Sequence, residues 1–264
     1  MLERVFACVA VCCAATGAAL PQAAAQDAGD HVAMGISALQ AHDLRTGLAH
    51  FNAGLAADST SYDANWRAAM ALLDLGEQIP DSVQSPERDS LYARAETLAR
   101  RAVAADSTRA EGHFALAAAV GRASLTMGKK ERIRRAAVIR DEARRAIAID
   151  STHDGAYHIL GRWNAEIMRL SGFSRFFAKS FLGAGIFKEA SWDSAAANLE
   201  HAVALDPGRI YHRLELAEVY ADRKRYDEAR AQLAELEALP EREIRDSAYR
   251  REAGELAARL AGRR

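Results

Sequence analysis

Past position 13 the chain has no cysteine; Cys8, Cys12 and Cys13 all fall in its first apolar stretch. The rest of the chain therefore has no disulfide, no thiolate nucleophile and no thiolate metal ligand, which is compatible with an oxidising compartment. A lipid-attachment cysteine follows a small residue, but Cys12 follows Val11 and Cys13 follows Cys12, which argues against a lipoprotein. Proline is scarce, at five residues, and aromatics make up only 7%, so little in the chain breaks helices. The formal net charge is −1, so no global field favours nucleic acid or an anionic membrane, and no nucleic-acid partner is expected. Half the residues are apolar and alanine is abundant. Alanine loses no side-chain entropy in a helix, and the expected class is all-α.

The N-terminus reads as a processing signal. Met1-Leu2-Glu3-Arg4 is followed by an apolar or small run from Val5 to Leu20, then Pro21, Gln22 and Ala23-Ala24-Ala25. Small residues at the last and third-last positions suit a signal peptidase, and the run is short for a stable span, which needs ~20 apolar residues. Residues 1–25 are expected to be a signal peptide cleaved near Ala25, and the remainder a periplasmic or secreted chain; an uncleaved anchor is the competing reading.

One pattern recurs after that point. Gly54-Leu55-Ala56-Ala57-Asp58-Ser59, Ala102-Val103-Ala104-Ala105-Asp106-Ser107, Ala146-Ile147-Ala148-Ile149-Asp150-Ser151 and Ala202-Val203-Ala204-Leu205-Asp206-Pro207 each read as a helix end and a junction. Asp, Ser and Thr suit junctions because their oxygens accept from unpaired N–H groups of the next helix. Thr108-Arg109-Ala110-Glu111 fits a capping box, and Ser85-Pro86 a cap with a first-turn proline. Each junction precedes a helix of shared spacing: His113-Phe114-Ala115-Leu116-Ala117, Tyr157-His158-Ile159-Leu160-Gly161 and Leu216-Ala217-Glu218-Val219-Tyr220. Small residues permit close approach of the paired helix, and large neighbours fill the seam. This is the tetratricopeptide pattern, with its basic period of ~34 residues. Residues 26–264 are thus expected to form one tetratricopeptide solenoid of about five helix pairs and a C-terminal capping helix. Insertions are expected near 76–88, 127–135 and 171–191.

Residues 106 to about 236 resemble the regulator of microtubule dynamics family of tetratricopeptide proteins. The resemblance rests on Ala146-Ile147-Ala148-Ile149-Asp150, Tyr157-His158-Ile159-Leu160-Gly161-Arg162-Trp163, the hydrophobic insertion and Leu199 to Pro207. It implies a helical-repeat fold. Eukaryotic members are linked to microtubules and membrane-bound organelles; an exported chain departs from that setting, so tubulin is not the expected partner.

Catalytic residues, metal ligands and cofactors are not expected. No two of the eight histidines form a His-Glu-x-x-His signature, and Gly183-Ala184-Gly185-Ile186 lacks the Lys-Ser/Thr of a phosphate loop. The first helix of each pair normally lines a concave groove. Counting from the aligned small residues places Trp66, Arg67, Phe114, Arg122, His158, Arg162, Glu166, Tyr211 and Glu218 on it. Aromatics mixed with cations suit a protein or peptide partner carrying an acidic group. The competing reading makes the aromatics packing residues and pairs Arg162 with Glu166, four positions on. Phe173, Phe176, Phe177, Phe181 and Phe187 give the insertion an apolar stripe. It is read as a helical lid, with peripheral membrane contact as the alternative. Asp141-Glu142, set among arginines, reads as an exposed ion-pair partner.

Overall fold

The structure, a computed structural model, describes residues 19–80, 83–125, 127–170 and 189–263. All regular structure among them is helical: α1 (Ala19–Gln40), α2 (Leu44–Ala57), α3 (Tyr62–Glu77), α4 (Pro86–Ala105), α5 (Ala110–Ser124), α6 (Lys129–Ile149), α7 (Asp154–Arg169), α8 (Trp192–Leu205), α9 (Ile210–Asp222), α10 (Tyr226–Ala238) and α11 (Asp246–Leu260). Consecutive helices pair as α1/α2, α3/α4, α5/α6, α7/α8 and α9/α10, and α11 packs on α9 and α10 as the cap. The first helices of successive pairs also touch one another, α1 to α3, α3 to α5, α5 to α7 and α7 to α9. They form the inner wall.

Local chemistry starts and stops these helices. Ser85 accepts from Arg88 N at 3.2 Å with Pro86 behind it, and Asp43 accepts from Thr46 N at 3.0 Å. The repeated junction aspartates act differently from expectation. Each is the C-cap of the helix before it, and Oδ1 turns onto the residue two positions on. Asp58 takes Thr60 N at 2.9 Å and its hydroxyl at 2.7 Å; Asp106 takes Thr108 at 2.9 and 2.6 Å; Asp150 takes Thr152 at 2.8 and 2.7 Å. These bonds, the threonine hydroxyl first, hold all three carboxyls below the usual carboxylate range. Thr108 is therefore committed backwards, and the expected capping box does not form: Arg109 is the N-cap of α5, without a side-chain cap bond. The two short hairpins close alike. His42 (φ 59) and Lys224 (φ 60) adopt the left-handed conformation, and Asp43 N reaches Ala38 O at 2.9 Å as Arg225 N reaches Tyr220 O at 2.8 Å. Both are Schellman-type ends.

Small residues set the spacing within pairs. A Cβ on Gly161 would lie 2.5 Å from Leu199 Cγ and 3.1 Å from Ala195 O, so only glycine lets α7 rest on α8 without displacement. Fully buried Phe51, Leu72, Tyr92, Leu199 and Leu236 fill the seams, each contributing about 1.5–3 kcal/mol by burial. The core runs as one cluster across α2 to α5 and another across α7 to α11, joined by smaller groups around Trp163 and Ala146. Trp163 belongs to this core and donates Nε1–H to Ala136 O at 2.8 Å. Glu142 is buried rather than exposed: it accepts from the His113 ring nitrogen at 2.5 Å and from Arg145 at 2.6 Å, because α6 lays that face on α5. Among the described residues no helix is long and apolar enough to cross a membrane.

Candidate functional site

The inner wall encloses a cavity of about 500 Å³. α3 contributes Met70, Leu73, Asp74 and Glu77, α5 Phe114 to Arg122, α7 His158 to Ile167, α9 Tyr211, and α11 Tyr249; the extended N-terminal turns of α6 add Ile133, Ala136 and Ile139. Beside the cavity the cap reaches back to the second pair. Arg245 donates to Glu77 O at 2.6 Å and to its carboxylate at 2.9 Å, and the Tyr249 ring stacks on Tyr211 at 4.4 Å.

Of the residues expected on the groove, the structure brings Phe114, Arg122, His158, Arg162, Glu166 and Tyr211 together on this cavity. Trp66, Arg67 and Glu218 do not line it. Trp66 donates Nε1–H to Asp63 at 3.0 Å and carries Arg67 over its ring at 4.2 Å. Glu218 pairs with Arg169 at 3.4 Å, and burial pushes its carboxyl up to about 7. Phe173, Phe176, Phe177, Phe181 and Phe187 lie outside the described residues.

The cations of the wall are held by the chain's own acids. Arg122 pairs with Glu77. Arg162 donates to the Tyr211 phenol oxygen and lies 3.3 Å from Glu215 Oε1, which also accepts from the phenol at 3.3 Å. Tyr211 and Glu215 together raise the Arg162 guanidinium well above its usual range. The Glu166 partner expected for Arg162 is instead taken by Arg169 at 2.9 Å, three positions on, because Arg162 turns towards α9. Arg209 joins Asp154 and Glu243, each at 2.8 Å.

Behind this wall runs a buried relay. The His212 ring reaches Asp154 through Nε2 at 2.8 Å, and its Nδ1 lies 3.0 Å from Nδ1 of His158. Desolvation holds both imidazoles below their ordinary value, so both are neutral near pH 7. Asp154 accepts Nε2–H of His212; His212 Nδ1 is then bare and accepts Nδ1–H from His158. No serine, threonine or cysteine side chain bonds to either ring among the described residues, and no group there of three or more His, Cys, Asp or Glu could hold a metal ion.

Asp74, Arg209, Glu243 and Tyr249 are site residues that the sequence reading misses. Asp74 follows Met70 by one turn on the groove-facing stripe of α3, so helical spacing points to it. Arg209 reaches the cavity from the N-cap of α9, held by Asp154 of α7; Glu243 and Tyr249 come from the cap and the segment before it, which leaves no periodic trace.

Stacked helix pairs around a lined concave wall define a tetratricopeptide-repeat protein. The regulator of microtubule dynamics protein 1-3 family matches residues 39–261, and the chain belongs to that family. A thermophilic tetratricopeptide protein of Thermus thermophilus superposes with a TM-score of 0.61 at 19% identity, covering 88% of this chain and 99% of its own. A structure described as functional characterisation of Pseudomonas aeruginosa pilF gives a TM-score of 0.53 at 14% identity, covering 90% and 92%. At these identities the likeness is one of fold. No curated protein matches the chain significantly.

Proposed function

We propose that this protein is a non-catalytic scaffold that takes a short segment of a partner protein, a chain end or a single projecting side chain, into the cavity of its inner wall. The observation that carries this reading is the Glu77–Arg245 bridge, which joins the inner wall to the cap beside the cavity. An open solenoid groove accepts a strand running along it; a wall joined across to the cap favours an occupant that enters and stops. Met70, Leu73, Phe114, Ile133, Ile139 and Ile159 give that occupant an apolar bed. The two arginines that favoured an acidic group on the partner, Arg122 and Arg162, both engage acids of the chain itself, and this weakens that version of the proposal.

We further propose that the chain acts after export, on the strength of the charged start, apolar run and Ala23-Ala24-Ala25. The test of the binding reading uses a random heptapeptide display library selected on the full chain. Selected peptides should lose binding to Gly121→Trp, whose side chain would fill the cavity from a position where a Cβ meets only Ile139 Cδ1 at 3.9 Å. Equal binding to that variant would overturn the reading.

A further inference from the structure

Among the described residues, the charges that line the cavity divide into those the fold uses and two it does not, Asp74 and the exposed Arg132 of α6. Glu77 holds Arg122 and Arg245, Glu243 holds Arg209, Glu166 holds Arg169, and Arg162 is held by Tyr211 and Glu215. Asp74 lines the same cavity from α3, half-buried, with no hydrogen bond or ion pair among the described residues. A second acceptor is also unused. The tautomer chain from Asp154 through His212 makes His158 Nε2 a bare acceptor, and that atom has no partner although His158 is only 5% exposed. The cavity-lining arginines carried by the first helices are all engaged, and the two unengaged polar groups named here that are covered, Asp74 and His158 Nε2, both accept hydrogen bonds. An occupant that carried a carboxylate or phosphate would meet only the exposed Arg132 without breaking one of the chain's own ion pairs. An occupant that carries N–H donors and positive charge breaks none.

We propose that the cavity recognises a cation on an apolar body, an ammonium group held by the Asp74 carboxylate with its hydrocarbon on Met70, Leu73 and Phe114. This deepens the proposed binding function and rests on it. Burial, with the neighbouring Glu77 and Glu243 carboxylates, pushes the Asp74 carboxyl up to about 7 against the opposing pull of Arg209 and Arg245, both of which are bonded to other acids. Bringing an ammonium to it restores the pairing that every other acid named here already has. A free amine, a lysine side chain and a peptide N-terminus share this chemistry.

The test is titration calorimetry of the full chain with hexylammonium, hexanoate and hexanol. At about pH 8, where Asp74 is ionised, hexylammonium should bind at least about tenfold more tightly than either of the others, as a charge-assisted bond of this kind provides. Asp74→Asn should reduce it to the level of hexanol. The fold spends no hydrogen bond on Asp74, so the variant should keep its helicity. The wild-type chain supplies an independent measurement, because hexylammonium affinity should fall several-fold by about pH 5.5 as Asp74 takes its proton while the amine keeps its own. Peptides distinguish the sources: loss of binding on N-acetylation identifies a chain terminus, and retention in an acetylated peptide containing lysine identifies the side chain. Hexanoate binding as well as hexylammonium, or indifference of hexylammonium to both Asp74→Asn and pH, would overturn the proposal. If hexanol or an acetylated lysine-free peptide still binds and Gly121→Trp abolishes that binding, the cavity remains the binding site and only the cation is wrong. If no probe binds at millimolar concentration, both readings fall.

Discussion

Arg245 and Glu77 stand 168 positions apart and are joined twice, at 2.6 Å to the backbone carbonyl and at 2.9 Å to the carboxylate. Both side chains are largely covered, at 17% and 12% exposure, and Glu77 also carries Arg122. Removing the carboxylate strands two arginines at once. Glu77→Gln is expected to lower stability by about 2–4 kcal/mol, below the full cost of breaking a fully buried pair because some solvent screens this one. Urea unfolding measures the loss, and small-angle scattering should show a longer molecule as the cap leaves the second pair. An unchanged scattering profile would mean that packing of α11 on α9 suffices to hold the cap there.

Arg162 is expected to act as a strut between α7 and α9. Arg162→Ala leaves Glu215, 5% exposed and already with one unpartnered oxygen, without its counter-ion, and should cost about 2–4 kcal/mol. The double variant Arg162→Ala, Glu215→Gln should recover part of that loss, because the stranded charge is gone. Thermal melts of the two variants decide the matter. A double variant no more stable than the single one would place the cost in lost packing instead.

The pH dependence of stability should carry two opposite slopes. For His158 and His212 the folded pKa lies below the unfolded one; below about pH 6.5 the unfolded chain takes up protons that the folded chain refuses, and stability falls as pH falls. For Asp74 the folded pKa, about 7, lies above the ordinary carboxylate value, so its ionisation costs stability as pH rises through neutrality. Asp74→Asn should therefore be more stable than the wild type at about pH 8, with the gap closing by about pH 4, where Asp74 is largely protonated in the folded state and about half protonated in the unfolded one. The histidine contribution cancels in the difference. Urea midpoints at the two pH values measure it, and a gap that widened on acidification would be inconsistent with an unpaired Asp74.

Two glycines should respond oppositely to alanine. At Gly161 the added methyl meets Leu199 Cγ at 2.5 Å, and overpacking should cost about 1–3 kcal/mol, reduced by the better helix propensity of alanine. At Gly254, on the exposed face of α11, nothing lies within 4 Å, and the same change should raise stability by about 0.5–1 kcal/mol. Paired denaturant midpoints check both signs.

Export predicts a mature N-terminus near Gln26, measurable by mass spectrometry of the native protein; an intact Met1 on cytosolic protein would refute it. The packing tolerates that cut. α1 spans Ala19–Gln40, but its first buried residues among those described are Ala28 and Val32. A chain beginning at Gln26 should therefore melt within about 1 kcal/mol of the longer one, the usual range for surface changes.

The helices, their pairing and the inner wall are legible along the chain because their causes are local. Alanine-rich segments, the recurring Asp after each helix end and the small residue at Gly161 act within one repeat, and contacts between neighbouring repeats leave a period that can be read in sequence. The same local logic places Phe114, Arg122, His158 and Tyr211 on the concave side. It does not reveal what those residues bond to. Helical spacing pairs Arg162 with Glu166 one turn away, yet Glu215 and Tyr211 on the neighbouring first helix hold it, because a long guanidinium follows the nearest buried acid rather than the nearest one in sequence. Whether the inner wall is joined to the cap is also a tertiary matter. The bend accumulated from the second pair to the cap brings Arg245 to Glu77, and no local pattern records that sum. Asp74 is left unpaired for the same reason: the acids and cations around it are matched in space, and that matching leaves one carboxylate over.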